Sequence, residues 1–361
     1  SWLRVTSATL EPVAVGTAAA RTGGRCIEKV QVSLSMTQLK SAVAMAFATC
    51  AYLIQSKPCP KRPRQSCQMP TTRSSAAAKA DATWAPSDAL LHRFDLSGPR
   101  YTSYPTADRF VEAFGPKQYR QALTQRQAAG AVGGRSPLSV YVHIPFCESV
   151  CYYCACNKVI TRHHERAGEY LDALEHELAL QVEALGRGQP LLQLHFGGGT
   201  PTFLSDAELD RVMRALRGAF NFLDGAEVSI EVDPRTVSRD RLAHLARLGF
   251  NRLSFGVQDF NPLVQKAVHR VQPYEQVAQL MQASRELGFE SINADLIHGL
   301  PLQTPDSLAR TVEQMGSLRP DRIALYAYAH LPRRFKPQRR IDADQLPTPA
   351  QRVSMLSRAI T

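Results

Sequence analysis

Four cysteines fall within ten residues, Cys147, Cys151, Cys154 and Cys156, in the string CESVCYYCAC. Thiols this dense act as metal or cluster ligands, because disulfides that brace a fold are spread along the chain. A tetrahedral zinc site usually takes two close ligands and two more after a long gap. Here the first three thiols sit at spacings of four and three on one short stretch. That arrangement suits three corners of a 4Fe–4S cube and leaves one iron open to a small chelating molecule. Zinc or a redox dithiol is the competing assignment, and the spacing favours iron–sulfur ligation. Cys156 reads in three ways: a fourth ligand, a functional thiol, or a small residue beside the cluster.

The elements that must hold this loop alternate between strand and helix. Residues 139–146 read SVYVHIPF, with Val142, Ile144 and Phe146 alternating against Tyr141, His143 and Pro145, and Cys147 follows directly. Further strands are predicted at 191–196, 228–232, 252–257, 291–297 and 322–329. Leu171, Leu174, Leu178, Val182 and Leu185 recur at helical spacing between the first two. Ser205 and Glu208 form a capping box ahead of Leu209, Val212, Met213 and Leu216. The strings Leu248-Gly249-Phe250 and Leu287-Gly288-Phe289 each end a helix on glycine and lead into a strand. Six such units predict parallel strands in a barrel or a doubly wound sheet, with chemistry at the C-terminal ends of the strands.

Charge is confined to one end. The formal net charge is +11, of which residues 1–80 carry +9 and residues 81–361 only +2. The basic balance is therefore no argument for nucleic acid. Residues 1–87 show no clean helix or strand period and are expected to be a disordered or non-native leader, with Met36 or Met69 as the true start. The apolar run at 41–54 is too short to span a bilayer. A secretory signal there fits poorly with a thiol cluster that needs a reducing compartment, and the acid-poor, Arg- and Ser-containing leader also resembles an organelle transit peptide, the minority reading. At the other end, the helical pattern of 350–360 reaches Thr361 with no stop signal, so the chain is expected to be truncated.

The CxxxCxxC string after the first strand resembles the radical S-adenosylmethionine (SAM) enzymes. So do Tyr153 before the third cysteine and the loop Gly197-Gly198-Gly199-Thr200-Pro201 after the second strand. Three further strings are more particular: Cys156-Asn157-Lys158, the segment SGPRYTSYPT at 97–106, and YVHIPFC at 141–147. Together they resemble the oxygen-independent coproporphyrinogen III oxidase family, over residues 88 to the end.

The resemblance implies an α/β fold, a partial (β/α)6 TIM-like barrel over 139–345. An N-terminal family segment would occupy 88–138, and 346–361 would begin a further region. It implies a 4Fe–4S cluster on Cys147, Cys151 and Cys154 and two SAM molecules. The first would touch Tyr141, Gly198 and Glu231, and the second Tyr153, Gly199, Thr200, Gln258, Arg270, Asp295 and Ala329. Cys156 would be required for activity without being a settled ligand. The residues agree in kind: Glu231 and Asp295 interrupt apolar strands, which is costly unless each has a partner. The partner considered for Glu231 is an arginine. His163-His164 and the arginines at 333–340 read first as solvated, the latter also as a possible hold on substrate propionates.

The implied reaction begins when a one-electron donor, flavodoxin- or ferredoxin-like, reduces the cluster. SAM then yields a 5′-deoxyadenosyl radical, and two propionates of coproporphyrinogen III become vinyl groups. A cytoplasmic monomer with no nucleic-acid or membrane partner is expected. The alternatives are a haem chaperone of the same superfamily, which typically lacks a cysteine at position 156, and a metal-stabilised binding module without catalysis.

Overall fold

The computed structural model describes residues 20–22, 25–30, 52–57, 87–94, 111–133 and 136–360. The 97–106 segment and most of the leader lie outside the described residues. Three leader strands are described, Ala20–Thr22 (β1), Arg25–Val30 (β2) and Tyr52–Lys57 (β3), paired antiparallel in that order. The helices Asp88–Phe94 (α1) and Pro116–Gly133 (α2) precede the first predicted strand.

All six predicted strands are present: Leu138–Ile144 (β4), Gln189–Gly198 (β7), Phe220–Val232 (β8), Arg252–Gln258 (β9), Ser291–His298 (β10) and Arg322–Ala327 (β11). They run parallel in the order β4-β7-β8-β9-β10-β11, which is sequence order, and β3 pairs antiparallel with the outer edge of β4. Helices Glu165–Leu185 (α3), Asp206–Ala219 (α4), Arg239–Arg247 (α5), Pro262–Ala267 (α6), Tyr274–Glu286 (α7) and Pro305–Ser317 (α8) fill the crossovers. Residues Pro349–Ile360 form α9. This is the partial (β/α)6 barrel, and no doubly wound reversal of strand order occurs in it.

Local chemistry sets the boundaries. Helix α4 opens on the predicted box, with Ser205 and Glu208 each satisfying the other's backbone N–H. The two glycine repeats behave alike: Gly249 and Gly288 sit at φ 89° and 83°. There Phe250 N–H reaches Leu245 O (3.1 Å) and Phe289 N–H reaches Ser284 O (3.1 Å), the six-to-one bond of a glycine-terminated helix. Strand β8 begins eight residues before its predicted start. Phe220 and Phe222 alternate onto β7, and a register break between Leu191 and Gln193 absorbs the turn at Gly225.

Alternation divides each strand into two faces. Leu194, Phe196, Val228, Ile230, Val232, Leu253, Phe255, Ile292, Ala294 and Leu296 are buried and pack with the helices. Tyr141, His143, His195, Ser229, Glu231, Ser254, Asn293 and Asp295 are half-buried on the other face. A closed barrel fills its inside with branched apolar side chains. This arc lines its inside with polar groups, and the inside is therefore a binding surface.

Candidate active site

The cysteine loop is closed at its neck by a feature the sequence pattern does not announce. Phe146–Cys147 (β5) and Val159–Ile160 (β6) form a two-stranded parallel sheet, with Val159 N–H on Pro145 O at 2.7 Å and Thr161 N–H on Cys147 O at 2.9 Å. Between them, Cys154 N–H turns back to Cys151 O (3.1 Å), and Lys158 Nζ donates to the carbonyls of Cys154 (3.2 Å) and Cys156 (3.3 Å). Tyr152 N–H reaches Val268 O (2.9 Å), and Gln338 Nε2 reaches Tyr153 O (2.9 Å). His143 Nε2 lies 3.0 Å from Asn157 O.

The four thiols are free and differ in environment: Cys151 is buried, Cys147 and Cys154 half-buried, and Cys156 exposed. Burial pushes the Cys147 thiol up to about 11, against a Thr200 hydroxyl that donates to its sulfur at 3.3 Å. The Cys156 thiol and the Lys158 ammonium hold Cys154 down at about 5, and Cys156 is correspondingly raised. The Cys151 sulfur accepts from Arg270 Nη1 (3.5 Å) and Arg235 Nη2 (3.6 Å). Donors aimed at sulfur stabilise thiolate and suit an electron-rich iron–sulfur centre. Among the described residues no three His, Cys, Asp or Glu groups converge as a single-ion site would need. A polynuclear cube takes its cysteines at separate corners. The donor set fits the cluster, and Cys147, Cys151 and Cys154 would hold it.

Both guanidiniums are themselves held by Asp233, at 3.1 Å from Arg270 and 2.7 Å from Arg235. Burial acts to raise the Asp233 carboxyl, but Arg270 and Arg235 together hold it below the ordinary carboxylate value. Arg270 also donates to Gly256 O (2.6 Å), and its Nε is buried without a partner. The arginine pairing considered as the alternative for Glu231 is thus made by Asp233, two residues later. Glu231 instead accepts from Gly198 N–H (3.2 Å) and lies 3.4 Å from His195 Nε2. His195 is fixed on its other side by Ser229 Oγ at 2.7 Å and stacks on Tyr141.

The glycine loop has a more demanding reason than ligand access. A Cβ on Gly197 would lie 2.9 Å from both Glu231 Oε1 and the Tyr141 ring, and one on Gly198, at φ 122°, would strike the His143 ring at 2.7 Å. On Gly199 it would lie 2.6 Å from Pro145 O and 2.8 Å from Phe146 O. These glycines let the end of β7 lie directly against the strand that delivers Cys147.

The remaining predicted residues divide. Asp295 accepts from Ser254 Oγ (3.0 Å) and Asn293 Nδ2 (2.9 Å), and burial raises its carboxyl. Gln258 ends β9 at φ 70°, a left-handed conformation uncommon for a side chain of its size, and folds over Gly256 beside Arg270. Its neighbour Asp259 turns the other way, into a buried network with Asn261 N–H (2.6 Å) and Thr311 Oγ1 (2.9 Å). The Tyr153 hydroxyl is pushed up by burial, opposed by Arg270. Ala329 lies exposed beyond the end of β11. His163 and His164 occupy the solvated start of α3, beside Glu165 and Glu148. Sequence reasoning passed over His143, His195, Asn293 and Arg235. The first three carry the same alternation that singled out Tyr141, Glu231 and Asp295.

No described helix is long and apolar enough to cross a membrane. Residues 141–315 match the profile of the Radical SAM superfamily. The chain is 53% identical over 271 residues to the oxygen-independent coproporphyrinogen III oxidase of Pseudomonas aeruginosa, covering 74% of this chain and 58% of that protein. It is 49% identical over 272 residues to the enzyme of that name from Escherichia coli, covering 75% and 58%. A solved structure of Escherichia coli coproporphyrinogen III oxidase, described as a radical SAM enzyme, superposes with a TM-score of 0.69 at 47% identity, over 75% of this chain and 59% of that one. The chain thus spans under two thirds of the length of these relatives. Sequence profile, identity and barrel agree with the pinned thiol loop: residues 141–315 are a radical SAM domain, and the chain is similar over three quarters of its length to the oxygen-independent coproporphyrinogen III oxidases.

Proposed function

We propose that this chain provides the catalytic barrel of an enzyme that oxidatively decarboxylates two propionates of coproporphyrinogen III to vinyl groups, giving protoporphyrinogen IX. The observation that carries the reading is the pinned loop, whose Cys147 sulfur is held by the hydroxyl of Thr200 in the loop after β7. Together, a 4Fe–4S cluster and SAM supply a carbon radical able to take hydrogen from a propionate β-carbon, after which carbon dioxide and one electron leave.

The chain's own groups bind and orient. Glu231 presents a half-exposed carboxylate, already fixed by Gly198 N–H and His195, to a cationic ligand group such as an amino nitrogen. Tyr141 and Gly198 flank it, and we assign these three to the first SAM. Arg270, Gln258, Tyr153, Asp295, Gly199, Thr200 and Ala329 are assigned to a second. Arg270 is a buried cation paired with Asp233 and Gly256 O, and its Nε is the nitrogen left without a partner. Cys156, exposed and hydrogen-bonded to Cys154, is assigned a functional role beside the cluster. Residues 139–345 are taken as the barrel unit, 88–138 as the segment preceding it, and 346–361 as leading into a further region.

The test is an anaerobic product assay with coproporphyrinogen III on the full-length reconstituted protein. Vinyl product in place of propionate supports the reading. A cluster-bearing protein that binds haem and releases no carbon dioxide supports the chaperone instead. A protein that takes up no iron leaves only a binding module.

A further inference from the structure

The face above the cysteine loop carries charge that the site chemistry does not use. After β11 the chain returns across the loop, and Gln338 and Ile341 are buried there. Gln338 bonds Tyr153 O, and Ile341 packs in a small second core with Val264 and Tyr328 against Tyr152 and Tyr153. The outer side of the same short turn bears Arg333, Arg334, Lys336, Arg339 and Arg340. All five are exposed, with no acid between them and no ion pair among the described residues. Asp342 and Asp344 are the nearest acids in sequence, and Asp342 caps the next turn through Asp344 N–H (3.0 Å). Arg340 lies over the Tyr152 ring at 5.2 Å, and His269 stacks on Tyr152 at 5.0 Å and 7°. Lys266 and Leu263 are exposed on α6, whose Val264 packs with Ile341 in that core, and Val271 is exposed after it. Tyr152 is the chain neighbour of Cys151.

An exposed cationic rim around an aromatic and apolar centre matches the composition of protein–protein interfaces. Clustered charge of one sign speeds encounter with an oppositely charged partner and makes the rate salt-dependent. The turn is fastened to the loop on its inner side, so a partner seated on its outer side lies next to a cluster ligand. A cluster held by this loop needs an electron from outside. Resting on the function proposed above, we propose that this face docks an acidic one-electron carrier protein. One electron passes beside Tyr152 to the cluster, oxidising the carrier by one and reducing the cluster by one. Encounters of this kind are small and transient.

The experiment uses the full-length, anaerobically reconstituted protein and follows bleaching of the cluster absorbance in a stopped-flow instrument. Reduced flavodoxin serves as the acidic probe, and photoreduced deazaflavin as a small reductant that needs no docking surface. The double variant Lys336→Glu/Arg339→Glu should slow reduction by flavodoxin at least tenfold at low salt. It should also flatten the salt dependence, with iron content and deazaflavin reduction unchanged. The milder Lys336→Gln/Arg339→Gln should fall between, and serves if charge reversal disturbs folding. An unchanged flavodoxin rate overturns the proposal, as does equal slowing by both reductants, which assigns the turn to supporting the cluster. A raised KM for the porphyrinogen with reduction rates intact also overturns it and assigns the cations to substrate carboxylates. A wild-type protein that takes up no cluster is a different failure, that of the functional reading itself.

Discussion

Replacing Gly199 by alanine tests whether the glycine loop serves the protein's own packing. The φ of Gly199 is not positive, so alanine meets no backbone penalty, only contact. Its Cβ would lie 2.6 Å from Pro145 O, where ordinary contact begins at 3.4 Å, so one backbone segment must move by about 0.8 Å. Neither side yields cheaply. Gly199 N–H is bonded to Ile144 O and Thr200 N–H to Phe146 O, both at 2.8 Å. Overpacking of this kind costs about 1–3 kcal/mol, and bending these two bonds adds roughly 1 kcal/mol. A total of about 2–4 kcal/mol corresponds to a fall in Tm of roughly 4–16 °C for a domain of this size. The displaced segment carries Cys147, so iron content should fall as well. Thermal unfolding of the apo-protein and iron analysis after reconstitution are the assays. Gly168→Ala is the control: it lies inside α3 with nothing within 4 Å of its Cβ position, and should gain about 0.5–1 kcal/mol. A Gly199→Ala protein with wild-type iron and a Tm within a degree of wild type refutes the reasoning.

Other perturbations probe separate parts of the site. Cys154→Ser should abolish SAM cleavage and the brown colour of the reconstituted protein, and full cleavage by this variant would remove the cluster assignment. Arg235→Ala takes one donor from the Cys151 sulfur while leaving Asp233 bound to Arg270. A loss of roughly 1 kcal/mol from the reduced state would lower the cluster potential by about 45 mV in a redox titration. Lysine should restore part of it, and an unchanged potential argues against the contact. Asp233 has a folded pKa below its unfolded value, so its stabilisation is present above about pH 4 and is lost as pH falls through the folded pKa. Asp233→Asn should therefore be less stable at pH 6 and show a shallower loss of Tm between pH 4 and 2.5. Equal acid slopes would count against the ion-pair account. Gln258→Gly releases a left-handed backbone worth about 1 kcal/mol and should raise Tm while weakening SAM binding measured by calorimetry. A lower Tm would show that the side chain's contacts outweigh the strain.

Much of this architecture is legible before any coordinates, because burial repeats along the chain. The period of two in 139–146 and the three-to-four spacing of Leu171, Leu174 and Leu178 arise from the faces those elements bury, so the identity of strands and helices follows, while the pattern alone leaves barrel and doubly wound strand orders both open. Glu231 and Asp295 stand out for the same reason, as charges at positions where alternation leaves room inside the arc. What stayed hidden depends on contacts between distant segments. That Asp233 rather than Glu231 binds arginine depends on where Arg270 arrives after α6, and no local pattern encodes it. The β5–β6 neck consists of two residues on each side, too short to leave a period. The resemblance sets Gly198 and Gly199, in the loop that Gly197 opens, against SAM. Their first constraint is the neighbouring strand, which becomes visible only when β4 and β7 lie side by side.

That neck separates folding from metal loading. Eleven residues lie between Cys147 and Val159, and bringing the ends of such a flexible loop together costs roughly 2 kcal/mol in chain entropy. In a zinc finger the metal must meet that cost, and the domain is unfolded without it. Here backbone bonds of the β5–β6 pair, with Lys158 and Gln338 holding the loop from within and above, meet it during folding of the barrel. Iron and sulfide would therefore meet a loop whose neck the barrel's own backbone bonds already close.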